Sequence, residues 1–419
     1  MTGQTSDDPT GDAGAAAVYP MPRGGRCPFD PAAGLREREP ISKVRLWNDS
    51  VPWLLTGYAD QQALSTDARV AVAPRHPGFP LLSAGFTAAQ QEADRQAAEL
   101  GEPTLTFGAD GPEHSRLRRM MSVAFTVKRV EALRPAIQRI VDDLIDRMLA
   151  GSPPCDLVAA FALPVPSLVI CEMLGVPYAD HEFFQRHSAV ILNHDSTAQD
   201  AGRAMGELVA YLEAIVDRKL TEPGEDVLSD MAARIHAGEM TRRQAARMGT
   251  TLLQAGHETT ANMIALGTLA LLENPGQMAA LRETGDPAAV SRAVEELLRY
   301  LTIAQGGRRR VALEDVEVGG VTIRAGDGVI LASDAANRDP AMFTDPDRLD
   351  LGRDARRHMA FGYGPHQCLG QQLARVELQV VYGTLYRRIP ALRLAVPVDR
   401  IRFKTEGFAY GVHELPVAW

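Results

Sequence analysis

Apolar residues recur at helical spacing through the middle of the chain, from about residue 113 to residue 300. In EALRPAIQRIVDDLIDRML, residues 131–149, apolar positions three and four residues apart are Leu133, Ile137, Ile140, Val141, Leu144, Ile145 and Met148. Side chains at this spacing share one face of an α-helix and can pack against other helices. The pattern therefore predicts a helix bundle in this half of the chain.

One of these helices is predicted to be long. Thr241 is a suitable N-cap, and Gln244, three residues later, completes a capping box. The helix should end before the Asn274-Pro275 pair, because proline cannot continue it. A helix of roughly 30 residues spans about 45 Å, so we expect it to cross the whole molecule. The Asp286-Pro287 pair, an N-cap followed by proline, predicts the start of another helix.

Beyond residue 308 the period changes to two, which is the spacing of a half-buried strand. Alternating valines at 316–318 and apolar residues at 321–323 flank Gly319-Gly320, which is typical of a two-residue hairpin turn. Residues 337–357 are rich in Asp, Pro and Arg and have no period, so they are predicted to form a loop. A last helix is predicted over residues 369–388. The fold class is therefore mainly α with a smaller β region.

The whole-chain composition narrows the class of protein. The chain has 419 residues, of which 45% are hydrophobic, and no Ser/Gly-rich or Pro-rich linker interrupts it after residue 40. We predict a disordered tail over residues 1–18 and a single domain over residues 19–419. A formal net charge of -9 argues against a nucleic-acid partner. Neither a signal peptide nor a run of 18 apolar residues is recognisable, which predicts a cytoplasmic protein without a membrane span.

Four cysteines stand far apart in the chain, at Cys27, Cys155, Cys171 and Cys368. They form no C-x-x-C pair, which excludes the usual zinc-finger and iron-sulfur spacings. Cys368 lies in FGYGPHQCLG, residues 361–370, where Gly362 and Gly364 allow positive-φ turns and a close approach to a flat ring. The N-terminus of the helix that follows should lower the pKa of the Cys368 thiol and favour a metal-binding thiolate. Alternatively, Cys368 is a small buried residue at a helix start.

The spacing F-x-x-G-x-x-x-C-x-G resembles the haem-binding signature of the cytochrome P450 superfamily. The resemblance implies that Cys368 is the axial ligand of the iron of a b-type haem, and that Phe361, Gly362 and Gly370 lie against the haem. It also implies the family's fold, a triangular helical prism in which the haem lies between the long helix and the cysteine loop.

AGHETT, residues 255–260, lies in the middle of the long helix and resembles the oxygen-binding groove of the same family. Ala255 and Gly256 leave room beside the backbone, and Thr259 can donate to the carbonyl four residues earlier. The resemblance implies that Thr259 holds oxygen and a water in the groove and that Glu258 relays protons. Alternatively, the threonine is merely bonded back within its helix.

Glu296 and Arg299 are three residues apart and share one helical face. An exposed pair of this kind contributes only about 0.2–0.5 kcal/mol. In the family the matching pair is buried and braces the loop before the cysteine, which here contains Arg338. The resemblance therefore implies a structural role for these three residues.

His114 and Arg118 are four residues apart and also share one helical face. The resemblance implies that these two residues, with Arg310 and His366, hold the two haem propionates. Buried carboxylates require such cationic or N–H partners. Without the cysteine motif, His114 and Arg118 would be interpreted as solvated surface residues.

Segments such as DLIDRMLA and ELPVAW resemble actinobacterial hydroxylases of secondary metabolites and xenobiotics. This implies a monomeric monooxygenase that inserts one atom of O₂ into a bulky hydrophobic substrate such as a macrolide, polyene, terpenoid or steroid-like molecule. The expected substrate pocket residues are Leu252, Ile303, Ala304 and Phe408. The chain has no G-x-G-x-x-G dinucleotide motif, so electrons should come from a separate ferredoxin and its reductase. The residues expected to contact an acidic ferredoxin are Arg116, Arg119 and Arg375.

Three alternatives remain. In a thiol hydrolase, Cys368 and His366 would be nucleophile and base, but two residues apart in a turn is poor geometry for that hydrogen bond. A haem-binding sensor or carrier would keep the cysteine but have no use for Glu258 and Thr259. A self-sufficient peroxygenase would normally dispense with the same acid-alcohol pair. That pair is therefore the discriminating feature.

Overall fold

The computed structural model describes residues 16–23, 28–31, 33–36, 38–83, 108–192, 196–405 and 408–419. The α-helices are α1 (Ala33–Arg36), α2 (Tyr58–Thr66), α3 (Gly111–Ser122), α4 (Val127–Ala150), α5 (Pro164–Leu174), α6 (His181–Leu192), α7 (Ala198–Thr221), α8 (Val227–His236), α9 (Arg242–Leu272), α10 (Pro275–Glu283), α11 (Pro287–Leu301), α12 (Ser333–Ala336) and α13 (Gln371–Arg388). The strands are β1 (Ala17–Val18), β2 (Ile41–Arg45), β3 (Trp53–Leu55), β4 (Val70–Ala71), β5 (Cys155–Asp156), β6 (Arg308–Ala312), β7 (Val316–Val318), β8 (Val321–Ile323), β9 (Gly328–Leu331), β10 (Arg393–Leu394), β11 (Phe403–Lys404), β12 (Gly411–Val412) and β13 (Pro416–Ala418).

Helix α9 has 31 residues and lies at the centre of the main hydrophobic core. The predicted capping box is confirmed, since the Gln244 N–H donates to the Thr241 hydroxyl and the Gln244 side chain accepts from the Thr241 N–H. From residue 260 to residue 271 every side chain of α9 is buried. Helices α5, α7 and α13 pack against it. A helix enclosed on this scale is a rigid support for whatever lies along its length.

The β region is smaller than the helical region, as predicted, and it forms several sheets. One has the strand order β1-β2-β3-β9-β6-β4, and another has the order β10-β13-β5. The predicted hairpin is confirmed as β7 and β8, with Val316 paired to Ile323 and Val318 to Val321. Helix α11 begins after the predicted Asp286 cap. Helix α13 begins two residues later than predicted, because Gly370 is its N-cap.

Residues 337–357 form the predicted loop, and a buried ion pair on α11 braces it. Arg299 makes two hydrogen bonds to the Glu296 carboxylate, at 2.7 and 2.9 Å, and both side chains are fully buried. Arg299 also donates to the carbonyls of Asn337 and Pro346 at 2.8 Å, while Arg353 donates to Glu296 at 3.1 Å. The pair therefore satisfies loop carbonyls that would otherwise be buried without partners.

Arg338 fastens the same loop at a second point. Its guanidinium donates to Asp347 at 3.0 Å and to the Tyr300 carbonyl at 2.9 Å, and it lies over the Tyr300 ring. The neighbouring Asn337 receives the Met359 N–H at 2.7 Å, just before the cysteine motif. The loop is thereby tied both to the end of α11 and to the segment that carries Cys368.

Part of the predicted tail is ordered. Ala17 and Val18 form strand β1, which pairs in parallel with Val44 and Arg45 of β2, so their assignment to the tail is corrected. The reason is the buried Tyr19, whose N–H donates to the Arg45 carbonyl and which packs in the small core beside the sheet. Residues 1–15 of the tail lie outside the described residues, and both the tail and the single domain stay predictions. No helix in the described part of the chain is long and apolar enough to cross a membrane.

We predict that Arg299→Met lowers the free energy of unfolding by about 3–5 kcal/mol, because it leaves the Glu296 carboxylate buried without its main partner. Arg203→Ala is the matched control, since Arg203 and Asp200 also form a pair three residues apart, but with 69% and 50% of their side chains exposed. It should cost less than about 1 kcal/mol. Urea unfolding followed by circular dichroism measures both values. Equal losses in the two variants would contradict the bracing role.

Candidate active site

A cavity of about 440 Å³ lies between α9 and the loop that carries Cys368. Its wall is mostly apolar and includes residues of α9, α11 and α13. The residues predicted to contact haem or substrate that line this wall are His114, Arg118, Leu252, Ala255, Gly256, Thr259, Ile303, Ala304, Phe361, His366, Cys368, Gly370 and Phe408. An enclosed apolar cavity with a few converging polar groups is typical of a small-molecule site.

Cys368 is held at the cavity wall by a tightly bonded loop. The Cys368 N–H donates to the Phe361 carbonyl at 2.8 Å, and the Gln367 N–H donates to the Gly364 carbonyl at 3.0 Å. The side chain of Cys368 is open to the cavity. The thiol is therefore available to a ligand in the cavity.

Burial raises the pKa of the Cys368 thiol, although Arg308, the Gly370 N–H and Arg118 oppose this shift. The Gly370 N–H at the start of the following helix lowers this pKa, as expected, but burial reverses the net direction. The loss of water around the thiolate outweighs the positive groups nearby. A thiolate at this position needs a cation in direct contact, as an iron ligand has.

Gly362 and Gly364 both have a positive φ, of 75° and 74°, as the motif predicts. A Cβ at Gly362 would lie 2.8 Å from the guanidinium carbon of Arg308, and one at Gly364 would lie 2.6 Å from the Ser65 carbonyl oxygen. Glycine at position 362 therefore leaves room for the Arg308 side chain, and glycine at position 364 leaves room for the end of α2.

His114 and Arg118 reach the cavity from α3, and His366 reaches it from the cysteine loop. The His114 and His366 rings lie close together, with centroids 3.9 Å apart. Burial, reinforced by the charge of Arg118, lowers the pKa of His114. His114 is thus held as a neutral ring that can still donate one hydrogen bond.

Arg308 stands where the sequence led us to expect Arg310. The cavity wall includes Arg308, whereas Arg310 donates to the Arg309 carbonyl at 2.8 Å and lies outside the wall. The two arginines are two residues apart on β6 and share one face of the strand, but the cavity adjoins only the beginning of the strand. Arg308 therefore joins Arg310 as a candidate partner of the haem propionates, and the role of Arg310 stays a prediction.

Arg308 is a half-buried cation with an unused donor. It donates to the Ala360 carbonyl at 3.1 Å, but its buried Nε has no hydrogen-bond partner among the described residues. Burial lowers the pKa of Arg308. A buried guanidinium with a free donor on a cavity wall is suited to an anionic ligand.

Arg375 does not belong to an open basic patch, so its assignment to the redox-partner surface is corrected. Its guanidinium makes two hydrogen bonds to Glu295, at 2.7 and 3.1 Å, and only 18% of its side chain is exposed. His358 binds the same carboxylate at 3.1 Å. Although burial opposes ionisation, hydrogen bonds from His358 and Arg375 lower the pKa of Glu295 to about 2. The Arg375 guanidinium also lies over the Phe361 ring, so the cluster of Glu295, His358 and Arg375 packs against the start of the cysteine loop.

The middle of α9 opens toward the cavity at the AGHETT segment. Ala255 is exposed to the cavity although it lies in the middle of an otherwise buried helix. The Thr259 hydroxyl lies on the same wall and donates to the Ala255 carbonyl at 2.7 Å. Glu258 lies beside Ala255 and Thr259 on α9 but is not part of the cavity wall, and its carboxylate binds Lys404 at 2.9 Å. The sequence did not point to Lys404, because 146 residues separate it from Glu258.

Glu377 is a buried acid on the cavity wall that the sequence analysis missed. It lies on α13 with 1% of its surface exposed, and its Oε2 has no hydrogen-bond partner among the described residues. Burial raises the pKa of this carboxyl well above its usual value and so favours its uncharged form. The only signal in the sequence is a charged residue within the apolar helix that follows the cysteine.

These residues fit a b-type haem. Cys368 offers a thiol to the iron, and the apolar wall offers contacts to the ring. His114, Arg118, Arg308 and His366 offer donors for two propionates, and the unpartnered Nε of Arg308 is otherwise unexplained. Within the described residues, no group of three or more His, Cys, Asp and Glu side chains could hold a metal ion by itself. The thiol of Cys368 therefore suits an iron whose other ligands come from the porphyrin.

The comparisons with known proteins agree with this site. The cytochrome P450 family model matches residues 86–390. Cytochrome P450 GfsF of Streptomyces halstedii is 52% identical over the full length of both chains, and its crystal structure superposes with a TM-score of 0.88, covering 96% of this chain and 100% of that one. The mycinamicin VIII C21 methyl hydroxylase MycCI of Micromonospora griseorubida is 40% identical with a TM-score of 0.86, covering 96% and 100%. CYP105P1 is 41% identical with a TM-score of 0.85, covering 96% and 99%.

We predict that Arg308→Gln releases haem about 10 to 100 times faster than the unchanged protein. A hydrogen bond to a charged group contributes about 1.5–3 kcal/mol, which corresponds to this change in rate if the bond is lost on release. Transfer of haem to an excess of apomyoglobin measures the rate. Arg310→Gln, which removes the same charge from the same strand, is measured beside it to compare the two candidate arginines. Faster release from Arg310→Gln than from Arg308→Gln would reverse the assignment.

Proposed function

Because the chain belongs to the cytochrome P450 family, we propose that it hydroxylates a bulky hydrophobic secondary metabolite such as a macrolide, polyene, terpenoid or steroid-like molecule. The chain is an oxidoreductase of the monooxygenase class and uses haem b. When bound, the haem supplies the activation of O₂, of which one atom enters the substrate and the other leaves as water. The protein supplies the orientation, the shielding from water and the protons.

The apolar cavity wall is the observation that carries the substrate class. Leu252, Ile303, Ala304 and Phe408 line it and offer no side-chain hydrogen bond. Such a wall binds large apolar molecules without strict selection, because one methylene changes the binding free energy by only about 1–3 kcal/mol. The related MycCI is crystallised with mycinamicin VIII and CYP105P1 with filipin I, and other relatives are named vitamin D3 dihydroxylase and pentalenic acid synthase. These names support a large apolar substrate.

The polar residues of the site divide the remaining tasks. Cys368 would be the axial ligand of the iron, and Arg308 with His114, Arg118 and His366 would hold the propionates. Thr259 would hold a water beside Ala255, where its hydroxyl lies on the wall. Glu258, one residue before it, would pass protons from solvent toward the Thr259 hydroxyl. Such positioned proton transfer contributes typically about 10²–10⁴ in rate.

Electrons would come from a separate ferredoxin and its reductase. With Arg375 engaged by Glu295, the proposed contact surface keeps Arg116 and Arg119 of α3. Arg119 is exposed, whereas Arg116 forms an ion pair with Glu113 at 3.0 Å. Arg119 is therefore the stronger candidate for attracting an acidic partner. We propose, as the sequence suggested, that the protein acts as a monomer in the cytoplasm.

We predict that Ala304→Phe lowers the affinity for large apolar compounds at least about tenfold, because the added ring takes up space in the cavity. Ala304 is held on the cavity wall by a β-bridge to Ala409. The measurement is a haem difference-spectrum titration with filipin I, mycinamicin VIII, vitamin D3 and small polar compounds. Ala288→Phe, on the exposed first turn of α11, is the matched control and should titrate like the unchanged protein. Preferential binding of the small polar compounds, or identical profiles for the two variants, would contradict the proposed substrate class.

We predict that Arg119→Glu slows reduction by an acidic ferredoxin several-fold at low salt and flattens the dependence of the rate on salt. Stopped-flow reduction under carbon monoxide measures the rate. Arg324→Glu is the control, because Arg324 is 70% exposed in the turn after β8 and carries the same charge. Reduction of the unchanged protein that is insensitive to salt would refute an electrostatic contact.

A further inference from the structure

Glu258 is separated from the cavity although it adjoins the catalytic threonine in sequence. The cavity side of α9 presents Ala255 and Thr259, one helical turn apart. Glu258 and Asn262 form a second pair one turn apart, on the flank of that stripe, and the Asn262 amide donates to Glu258 Oε1 at 3.1 Å. The Glu258 carboxylate therefore lies beside the groove and must be oriented toward it to reach Thr259.

A cation from a distant strand holds this acid. Lys404 Nζ donates to Glu258 Oε1 at 2.9 Å, and each side chain is 24% exposed. Lys404 lies on β11, directly across from Gly411 on β12. A Cβ at Gly411 would lie 2.0 Å from Asn262 Oδ1, so glycine lets the hairpin press against α9 at this point. This close contact places Lys404 within hydrogen-bond distance of Glu258.

The same hairpin is fixed to the substrate wall. The Gln305 N–H donates to the Phe408 carbonyl at 2.9 Å, and the Gln305 side chain donates to the Lys404 carbonyl at 3.3 Å. The Tyr410 N–H donates to the Ile303 carbonyl at 2.7 Å. These bonds make the backbone of Lys404 part of a well-supported element rather than a free surface strand.

We propose that Lys404 is a positioning residue whose ion pair holds Glu258 beside α9 and governs when Glu258 can carry a proton to Thr259. This inference rests on the proposed roles of Glu258 and Thr259. In one cycle, the Glu258 carboxylate takes a proton from solvent and becomes a neutral acid with a weaker hold on Lys404. It then gives that proton up toward the Thr259 hydroxyl, and the carboxylate and the ion pair are restored.

The charges around Glu258 agree with this role. Burial opposes its ionisation, but Lys404, His257 and Asn262 together lower the pKa of the carboxyl. Lys404 faces Glu258 from β11, and the other two groups lie on α9 itself. Burial lowers the pKa of His257, whose Nδ1 lies 2.7 Å from the Leu253 carbonyl, so the cation that matters near pH 7 is Lys404.

The test is an infrared titration of the Glu258 carboxyl in the ferric holoenzyme, with the band identified by its loss in Glu258→Gln. In Lys404→Met the midpoint should move to higher pH, because burial is then opposed only by His257 and Asn262, and Lys404→Arg should move it back. Arg402→Met is the matched control, since Arg402 is two residues away, 73% exposed and paired with Glu414. An unchanged midpoint in Lys404→Met, or an equal shift in Arg402→Met, overturns the proposal.

A second measurement separates this inference from the proposed function. Product formed per NADH consumed is measured against pH with whichever of filipin I, mycinamicin VIII and vitamin D3 binds most tightly. If Glu258→Gln and Thr259→Ala keep this ratio within twofold of the unchanged protein, the proposed relay itself fails. If they lose it and the pH profile of Lys404→Met also shifts upward, with recovery in Lys404→Arg, the proposal is supported. If they lose it and Lys404→Met follows the unchanged profile, only the role of Lys404 fails.

Discussion

The site depends first on the buried ion pair between Glu296 and Arg299. A loop of some twenty residues precedes the cysteine and has only scattered turn hydrogen bonds of its own, so its remaining carbonyls need partners elsewhere. Arg299 supplies them from a rigid helix, and Glu296 neutralises the charge that this requires. Removing water from two ions is costly, and the cost is offset only because nearly every donor and acceptor of the pair is used. The position of Cys368 follows from this arrangement.

Charge is distributed unevenly around the cavity. Arg118 and Arg308 face it as cations, whereas burial raises the pKa of Glu377 on the same wall and so favours the uncharged form of its carboxyl. The cavity is therefore electropositive on the side of the cysteine loop even though the chain carries a net charge of -9. Such a site favours a ligand that combines an apolar body with anionic groups, as haem does. The global charge of the chain says nothing about this local balance.

Helix α9 combines two requirements that conflict. Its length and burial make it a rigid support, yet its centre must stay open and polar, with Thr259 bonded to the Ala255 carbonyl. The β11–β12 hairpin meets the helix at this polar point and brings Lys404 to Glu258. The proposed substrate wall and the proposed proton relay thus share one structural element, although their tasks differ.

The sequence by itself determined the helices with strong periodicity and caps, because their signals are local. Thr241 and Gln244 mark the start of α9 three residues apart, and the FGYGPHQCLG motif places Cys368 just before a helix. Local order is also why the β7–β8 turn and the loop after residue 336 were predicted correctly.

Only the tertiary structure decided what depends on contacts between distant segments. Arg308 and Arg310 are equivalent in strand period, and only the packing of β6 against the cysteine loop selects Arg308 for the cavity. Arg375 looked like a surface charge until Glu295, 80 residues away, engaged it. The sign of the Cys368 pKa shift likewise depends on how deeply the loop is enclosed, because desolvation is a property of the folded surroundings and not of the neighbouring residues.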